Sequence, residues 1–464
     1  MRILRINSWD GPGRGGAEEY IRTVADALEQ LGHPNRIVNI TDVVEPHPRE
    51  DENYLRIVPM SRRARRLPQD LREVSPVSEA LEREIREFSP DLIQVHHFEG
   101  AFTSVARVLR RQPAPILVTA HDAWLVCPIA TLVRPGRILC EGGIRPRCQF
   151  TGCRVGLGLP YNLWQKQIFD AWVAPRVRAY LAPSRSLAGY LHDHAYRPSI
   201  HLPSFAALPE SVLDTAMPPP APDLPPTIGW IGRMESYKGV EDLLRAFPSV
   251  RREHPDARLS LAGGGSRRPA LKALARELGV ADAVEWAGVV RGAAKEEWFR
   301  SVHVVAVPSN EYENFPLVAL EALARCRPVV GTAIGGIPEI VQDGVDGRIV
   351  PIADPPSLAR ALAEVLENPE RAREWATHGR QKVLGNFTAG HHVARLVAVY
   401  ERVLGGRSLP SRGDAEEIRR EALRGGRDRG IPPEAPDERI HTLASPPPSP
   451  CPKTTAWKGR STSS

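Results

Sequence analysis

Residues 309–324 read SNEYENFPLVALEALA. The first half is polar and the second half is apolar at helical spacing. Pro316, favoured in a first helical turn, marks the entry to the helix. An apolar run of strand type, residues 303–307, precedes the stretch, and another, 328–332, follows it. Strand, loop, helix and strand in this order call for parallel strands joined by a crossover helix. Glu313 falls in the loop at the carboxyl end of the first strand. Glu321 falls over one turn inside the helix. Amides from Asn314 to Leu317 are expected to point into the same crevice. Two carboxylates accept hydrogen bonds from sugar or ribose hydroxyls while helix N-terminal amides receive phosphate. Glu321 lies on an otherwise apolar helix, which argues for more than solvation.

The alternation extends in both directions. Upstream, strands are expected at 227–232, 258–262 and 284–286, with helices at 240–250 and 269–278. Downstream, helices are expected at 356–366 and 369–383. Residues 209–226, PESVLDTAMPPPAPDLPP, carry seven prolines in eighteen positions. Neither a helix nor an inner strand tolerates that density, so the segment reads as a stiff linker. Before it the pattern repeats. Strands are expected at 2–8, 36–40, 91–96, 115–120 and 178–182, with helices at 17–31, 77–88, 101–111 and 187–194. The expected architecture is α/β, two Rossmann-like doubly wound domains facing a central cleft. The first domain is 1–208, the linker 209–226 and the second domain 227–385. A last helix, 386–404, packs back on the first domain. Residues 405–464 are proline-rich and apolar-poor, and read as a disordered tail.

Composition bounds the function. The chain has 464 residues, 42% hydrophobic and 25% charged, with 61 basic against 55 acidic side chains and a net charge of +6. That excludes a wholly disordered chain. No run approaches the ~20 apolar residues of a membrane span. The N-terminus lacks signal-peptide character, so a cytoplasmic protein is expected. Six cysteines do not make a disulfide framework.

Three further stretches carry chemistry. Gly15 and Gly16 lie in a glycine-rich turn between the first strand and first helix, where backbone can approach a phosphate. This is not the dinucleotide fingerprint, because G-x-G-x-x-G is out of register and no acidic residue ends the second strand. Gly232 and Arg233 end the first strand of the second domain, and Lys238 follows five positions later. Two cations there can converge on one diphosphate. His121, beside Asp122, ends a buried strand and is expected to face the crevice where open α/β sheets bind ligands.

Together these stretches resemble the family 4 glycosyltransferases of GT-B fold, over about residues 2–404. The Glu313/Glu321 pair is the most specific element. Residues 335–341 (GGIPEIV), 343–347 (DGVDG), 15–18 (GGAE) and 183–186 (PSRS) support it. The resemblance implies a retaining hexosyltransferase that takes a nucleotide-sugar donor. Arg233 and Lys238 would hold the diphosphate, Glu313 the sugar hydroxyls and Glu321 the ribose. His121 would touch the sugar near its reacting carbon, and Gly16 would press on phosphate or acceptor. Gly263, Gly264, Val289 and Val290 would frame the base, and Asn314, Phe315, Pro316 and Leu317 would supply the phosphate amides. Pro316 and Cys326 stand where relatives usually carry glycine. With two cations on the diphosphate and no Asp-x-Asp site, no catalytic metal is expected. The implied acceptor is lipid-linked or a glycan of the cell envelope. The alternatives are an epimerase of the same fold and a nucleotide-sugar-binding protein without turnover.

Two features stand apart. Cys127, Cys140, Cys148 and Cys153 fall within 27 residues and point to a structural zinc, with unbound thiols or redox pairs as the alternative. Residues 61–72, SRRARRLPQDLR, carry five arginines against one aspartate. By resemblance such a basic segment docks on an anionic inner-membrane face. No nucleic-acid motif accompanies the charge.

Overall fold

A computed structural model describes residues 1–8, 16–41, 55–59, 75–97, 101–134, 138–151, 153, 158–221, 223–427 and 451. It divides into two units. Unit 1 comprises Met1–Pro203 and Ala389–Leu443, and unit 2 comprises Ser204–Thr388 and Ala444–Ser464.

Unit 1 opens with β1 (Ile3–Ser8), α1 (Gly16–Gln30), β2 (Asn35–Thr41), β3 (Leu55–Pro59), α2 (Ser75–Phe88), β4 (Leu92–Val95), α3 (Phe102–Leu109) and β5 (Ile116–Thr119). A hairpin, β6 (Val133–Arg134) and β7 (Ile138–Leu139), interrupts the alternation. Then come α4 (Gly158–Ile168), β8 (Val177–Ala182), α5 (Arg185–Asp193) and β9 (Ser199–His201). Unit 2 runs α6 (Glu210–Asp214), β10 (Thr227–Arg233), α7 (Val240–Glu253), β11 (Arg258–Gly264), α8 (Arg268–Glu277), β12 (Val284–Gly288) and α9 (Ala293–Ser301). It continues with β13 (Val304–Val307), α10 (Leu317–Ala324), β14 (Val329–Thr332), α11 (Ile337–Ile340), β15 (Gly347–Val350), α12 (Pro355–Glu367) and α13 (Pro369–Asn386). The chain re-enters unit 1 as α14 (Ala389–Leu404), β16 (Arg412–Asp414) and α15 (Ala415–Arg427).

Both main sheets are parallel. In unit 1 the strand order is β16-β9-β8-β5-β4-β1-β2-β3, and in unit 2 it is β12-β11-β10-β13-β14-β15. Each order reverses direction once, between β1 and β4 and between β10 and β13. At such a switch point the loops leaving neighbouring strands diverge and open a crevice. The unit 2 core is filled by strands and by helices covering them. Leu243, Leu244 and Phe247 of α7 and Leu362 of α12 are fully buried there with Leu259, Val304 and Val330.

Unit 1 carries a polar tie inside its core. Arg5 of β1 is fully buried. Its guanidinium donates to Asn35 Oδ1 at 3.1 Å, Gln94 Oε1 at 2.5 Å and Tyr400 Oη at 3.3 Å. Each of the three guanidinium nitrogens thus has a partner, which offsets the cost of burying the cation. The same contacts fasten α14 to β1, β2 and β4.

Several elements depart from the sequence expectation. The proline-rich linker contains a short helix, α6, because its prolines cluster at 209 and from 218 onward and leave 210–214 free to coil. The expectation of a disordered 405–464 is corrected for its first part. β16 extends the sheet by pairing parallel with β9, and α15 packs behind it. Few apolar residues suffice, since Ala415 and Ile418 are buried and ion pairs do the rest. Arg395 pairs with Glu416 at 2.7 Å, and Asp414 accepts from His201 at 2.9 Å and Arg185 at 3.1 Å. Beyond Arg427 only Cys451 lies among the described residues. It forms a disulfide with Cys326, a pairing not anticipated. β3, β9, β15, α4, α9 and the β6–β7 hairpin were also not anticipated. Residues 61–72 and Gly15 lie outside the described residues.

Candidate functional site

The switch point of unit 2 gathers most of the singled-out charges. Arg233 ends β10, and the turn after it carries Tyr237 and Lys238 before Gly239 opens α7. Gly239 has φ +68, and a Cβ there would lie 1.7 Å from the Pro308 carbonyl oxygen. Only glycine lets this turn press on the loop leaving β13. Asn310 N–H donates to the Tyr237 carbonyl at 3.0 Å, which joins the two loops. Across that joint, Lys238 Nζ meets both oxygens of Glu313, at 2.9 and 2.7 Å. Ser309 Oγ donates to the same carboxylate at 2.8 Å. Arg233 donates to Tyr237 Oη at 2.9 Å, and the Lys238 ammonium stands 5.3 Å from the Tyr237 ring centroid. One phenol ring therefore couples the two cations.

The Glu313 loop is held from the other side by Gly335 and Gly336. A Cβ on Gly335 would lie 2.0 Å from the Glu313 carbonyl oxygen, and one on Gly336 would lie 2.2 Å from that of Asn314. Gly336 N–H donates to the Glu313 carbonyl at 2.8 Å. The glycine pair thus fixes the backbone that aims Glu313. Pro316 is extended at the entry of α10, which begins at Leu317. Pro316 has no N–H, so only Asn314, Phe315 and Leu317 can offer amides there. Cys326, the other departure from relatives, sits just past α10 at φ +53, a left-handed position that suits glycine better.

Glu321 does not join the Glu313 cluster by any hydrogen bond between the two. It is half-buried on α10 and pairs with Lys295 of α9 at 2.6 Å. The sequence reading missed Lys295, Tyr237 and Ser309. One signal was present: only seven of the 61 basic residues are lysine, and two of those seven face the two acids. Gly263, at φ +127, would clash with the Gly232 carbonyl if it bore a Cβ, so β10 and β11 abut at their carboxyl ends. Gly264 lies beside Val289, which is 67% exposed in the loop after β12 with Val290. An apolar side chain so open at a strand end is available to a flat ligand face.

The switch point of unit 1 is a cluster of rings. His96 and His97 follow β4, His121 follows β5, Tyr20 lies on α1 and His392 on α14. His96 Nδ1 and His121 Nε2 share a hydrogen bond at 2.8 Å with their rings stacked. Tyr20 packs edge-on against His121 and His392, with centroids 5.1 and 5.0 Å apart. His392 Nδ1 lies 2.7 Å from the Pro203 carbonyl, which only accepts, so Nδ1 carries the proton. Nε2 then accepts from Tyr20 Oη at 2.7 Å. Burial, and after it the neighbouring His97 and His392, hold His121 well below the ordinary histidine value. Burial likewise lowers His96, and holds His392 down to about 3. These imidazoles are neutral at physiological pH. Gly16 begins α1 in the same unit.

The four clustered cysteines are split between buried Cys127 and Cys148 and half-buried Cys140 and Cys153. Cys148 Sγ faces the Gly143 carbonyl at 3.8 Å, and Thr151 Oγ1 faces Cys153 Sγ at 3.3 Å. Among the described residues no three His, Cys, Asp or Glu side chains converge as a metal site needs. The zinc expectation therefore finds no ligand set. Nor is any helix among the described residues long and apolar enough to cross a membrane.

The signature described as Glycosyltransferase Family 4 matches residues 14–202, and that described as Glycosyl transferases group 1 matches residues 225–368. In sequence, the chain is 32% identical over 257 residues to a D-inositol 3-phosphate glycosyltransferase of Thermobispora bispora, covering 52% of this chain and 59% of that protein. The chain spans 31–59% of the length of the curated relatives it matches. In structure it is similar to a sucrose-phosphate synthase from Thermosynechococcus elongatus, with TM-score 0.67 and 20% identity over 87% of this chain and 99% of that one. It is also similar to Anabaena HepE solved with UDP, with TM-score 0.63 and 15% identity over 86% and 100%. Both likenesses show the GT-B fold.

Proposed function

The chain belongs to the family 4 glycosyltransferases, and on that premise we propose that it moves a hexose-type sugar from a nucleotide-sugar to a lipid-linked or glycan acceptor, retaining the anomeric configuration. The observation that carries this reading is the arrangement at the unit 2 switch point. Arg233 and Lys238 share Tyr237, Lys238 grips Glu313, and Lys295 grips Glu321. Arg233 and Lys238, gathered on one phenol ring, present positive charge to an anionic guest. A diphosphate competes with Glu313 for Lys238 and releases the carboxylate to accept hydroxyls of the sugar. Glu321, paired with Lys295, accepts the ribose hydroxyls, and Val289 covers a face of the base.

The chemistry follows from these charges. The bond between the anomeric carbon and the phosphate oxygen breaks, and the nucleoside diphosphate leaves with the electron pair. Arg233 and Lys238 stabilise that developing negative charge, which is the largest contribution a protein can make to such a step. A new bond forms between the anomeric carbon and the acceptor oxygen, and the acceptor proton passes to the leaving phosphate. Attack and departure on one face give retention. The cations take the place of a divalent ion. The neighbour solved with UDP and the relative that uses inositol 3-phosphate support a nucleoside-diphosphate donor and a polyol-like acceptor. A place in cell-envelope polysaccharide or glycolipid synthesis fits this acceptor class, with the basic run 61–72 resting on an anionic membrane.

The test is a panel of UDP-, GDP- and ADP-sugars incubated with the purified chain and a glycolipid extract. Nucleoside diphosphate release and the product's anomeric proton coupling are read together. Release with one donor and an α-linked product from an α-linked donor supports the reading. No release with any donor, or an inverted product, overturns it.

A further inference from the structure

Unit 1 contains a cavity of about 340 Å³ that none of the roles above uses. It lies between the loop after β5, the start of α3 and the inner face of α4. Five rings line it: Phe102, Trp124, Tyr161, Phe169 and Tyr196. Trp124 stands edge-on to Phe102 and to Phe169, with centroids 6.5 and 5.5 Å apart, so its orientation is set by packing.

Three polar groups join the rings. Lys166 is paired with Asp170 and donates to Tyr196 Oη at 3.0 Å. Gln165 donates to Tyr161 Oη at 2.9 Å. Asn162 Oδ1 is buried and has no hydrogen-bond partner among the described residues. A buried acceptor without a donor is costly, and such groups persist where a ligand completes them. The wall is strained as well. Ala130, on the lining, has φ +59, and Leu132 close by has φ +50. Left-handed non-glycine residues collect at ligand sites because surrounding structure must hold them there.

We propose that this cavity binds a neutral pyranose ring of the acceptor, an inference that rests on the glycosyltransferase reading. A charged group would find Lys166 already paired. A lipid chain would leave Asn162 Oδ1 unsatisfied. A pyranose offers a C–H face to Trp124 and a hydroxyl that donates to Asn162. The volume lies at the small end of ligand pockets, about 300–1,000 Å³, and suits one ring rather than a long chain. The loop that carries Trp124 starts at His121, so the same strand end supplies both the imidazole cluster and the ring platform.

Saturation-transfer NMR on the full chain, with methyl glycosides of glucose, mannose, galactose and N-acetylglucosamine, tests this directly. Ring protons of at least one glycoside should receive saturation, and Trp124→Leu should abolish it. Asn162→Leu should weaken that glycoside about fivefold to tenfold, the worth of one hydrogen bond. The same variant should melt no lower than the wild type, because an unsatisfied buried acceptor is gone. Should Trp124→Leu fail to fold, Asn162→Leu carries the test alone. Saturation of none of the four glycosides overturns the proposal, as does an affinity unchanged in both variants. Saturation confined to the alkyl chain of decyl maltoside overturns it in favour of a lipid. Binding of a nucleoside diphosphate by unit 2, titrated on the same sample, stands or falls separately and tells a failed pocket from a failed donor reading.

Discussion

The two units reverse strand order once each, and they furnish the resulting crevice in opposite ways. In unit 2 the switch point holds salt bridges: Lys238 with Glu313, and close by Lys295 with Glu321, all half-buried. In unit 1 it holds neutral rings: His96, His121, His392 and Tyr20. The first arrangement suits a ligand that carries charge. The second suits an uncharged, hydroxyl-bearing part of a ligand. The lesson is that topology supplies the crevice, while loop composition decides which kind of guest it favours.

The comparison breaks most easily at Lys238. Lys238→Ala should lower transfer about 10²–10³-fold, the range for losing one group that stabilises departing charge. Steady-state assay of nucleoside diphosphate release checks it, and loss below threefold would argue that Arg233 alone suffices. His121→Ala should cost about 10²-fold in kcat, through loss of a polar contact near the reacting carbon, while leaving the affinity for nucleoside diphosphate as it was. If kcat holds and affinity falls, the imidazole cluster belongs to binding rather than turnover. Lys295→Ala should raise the donor KM about tenfold, as expected for one charge-assisted hydrogen bond, with kcat nearly unchanged. An unaltered KM would make the Lys295–Glu321 pair a packing device.

The smallest effect is on stability and follows from the neutral rings. His392 in the folded chain is held down to about 3, whereas an unfolded histidine titrates near 6.5. Below pH 6.5 the unfolded state takes up a proton that the folded state refuses. The stability tied to His392 is therefore complete above that pH and declines as pH falls toward the folded value. Between pH 6.5 and 5 the decline is roughly 2 kcal/mol for His392 alone. His96 and His121 act in the same direction. In unit 2, His303 is comparable, lowered to about 4 by burial. Scanning calorimetry at pH 7.5 and 5 should show unit 1 losing more stability than unit 2, and His392→Gln should reduce the difference. Equal losses in both units would contradict the assignment of neutral rings to unit 1.

Much of this was legible because its signals are local. The β-strand, loop and helix around 303–324 show in composition alone, and the positions of Glu313 and Glu321 follow from it. What escaped was non-local. Lys295 lies in a nine-residue helix, AAKEEWFRS, whose apolar face is too short to stand out, and its partner is 26 positions away. Tyr237 acquires its role only through contacts with Arg233 and Lys238, which the spacing of the loop does not disclose. β16 could not be read because three residues, Arg412–Asp414, gain strand structure only by pairing with β9 over two hundred positions earlier. The aromatic cavity escaped for the same reason, since its rings come from segments separated by the cysteine-rich loop. That loop drew notice for its thiols, whereas Trp124 and Asn162 on its flanks carry the shape.

The central claim is that the paired charges of unit 2 receive the diphosphate of the donor. Titration calorimetry of UDP, GDP and ADP against the wild-type chain and Lys238→Ala measures it without any acceptor. The account predicts saturable binding of one of the three, weakened at least tenfold in the variant. Indistinguishable affinities in the two proteins would contradict it.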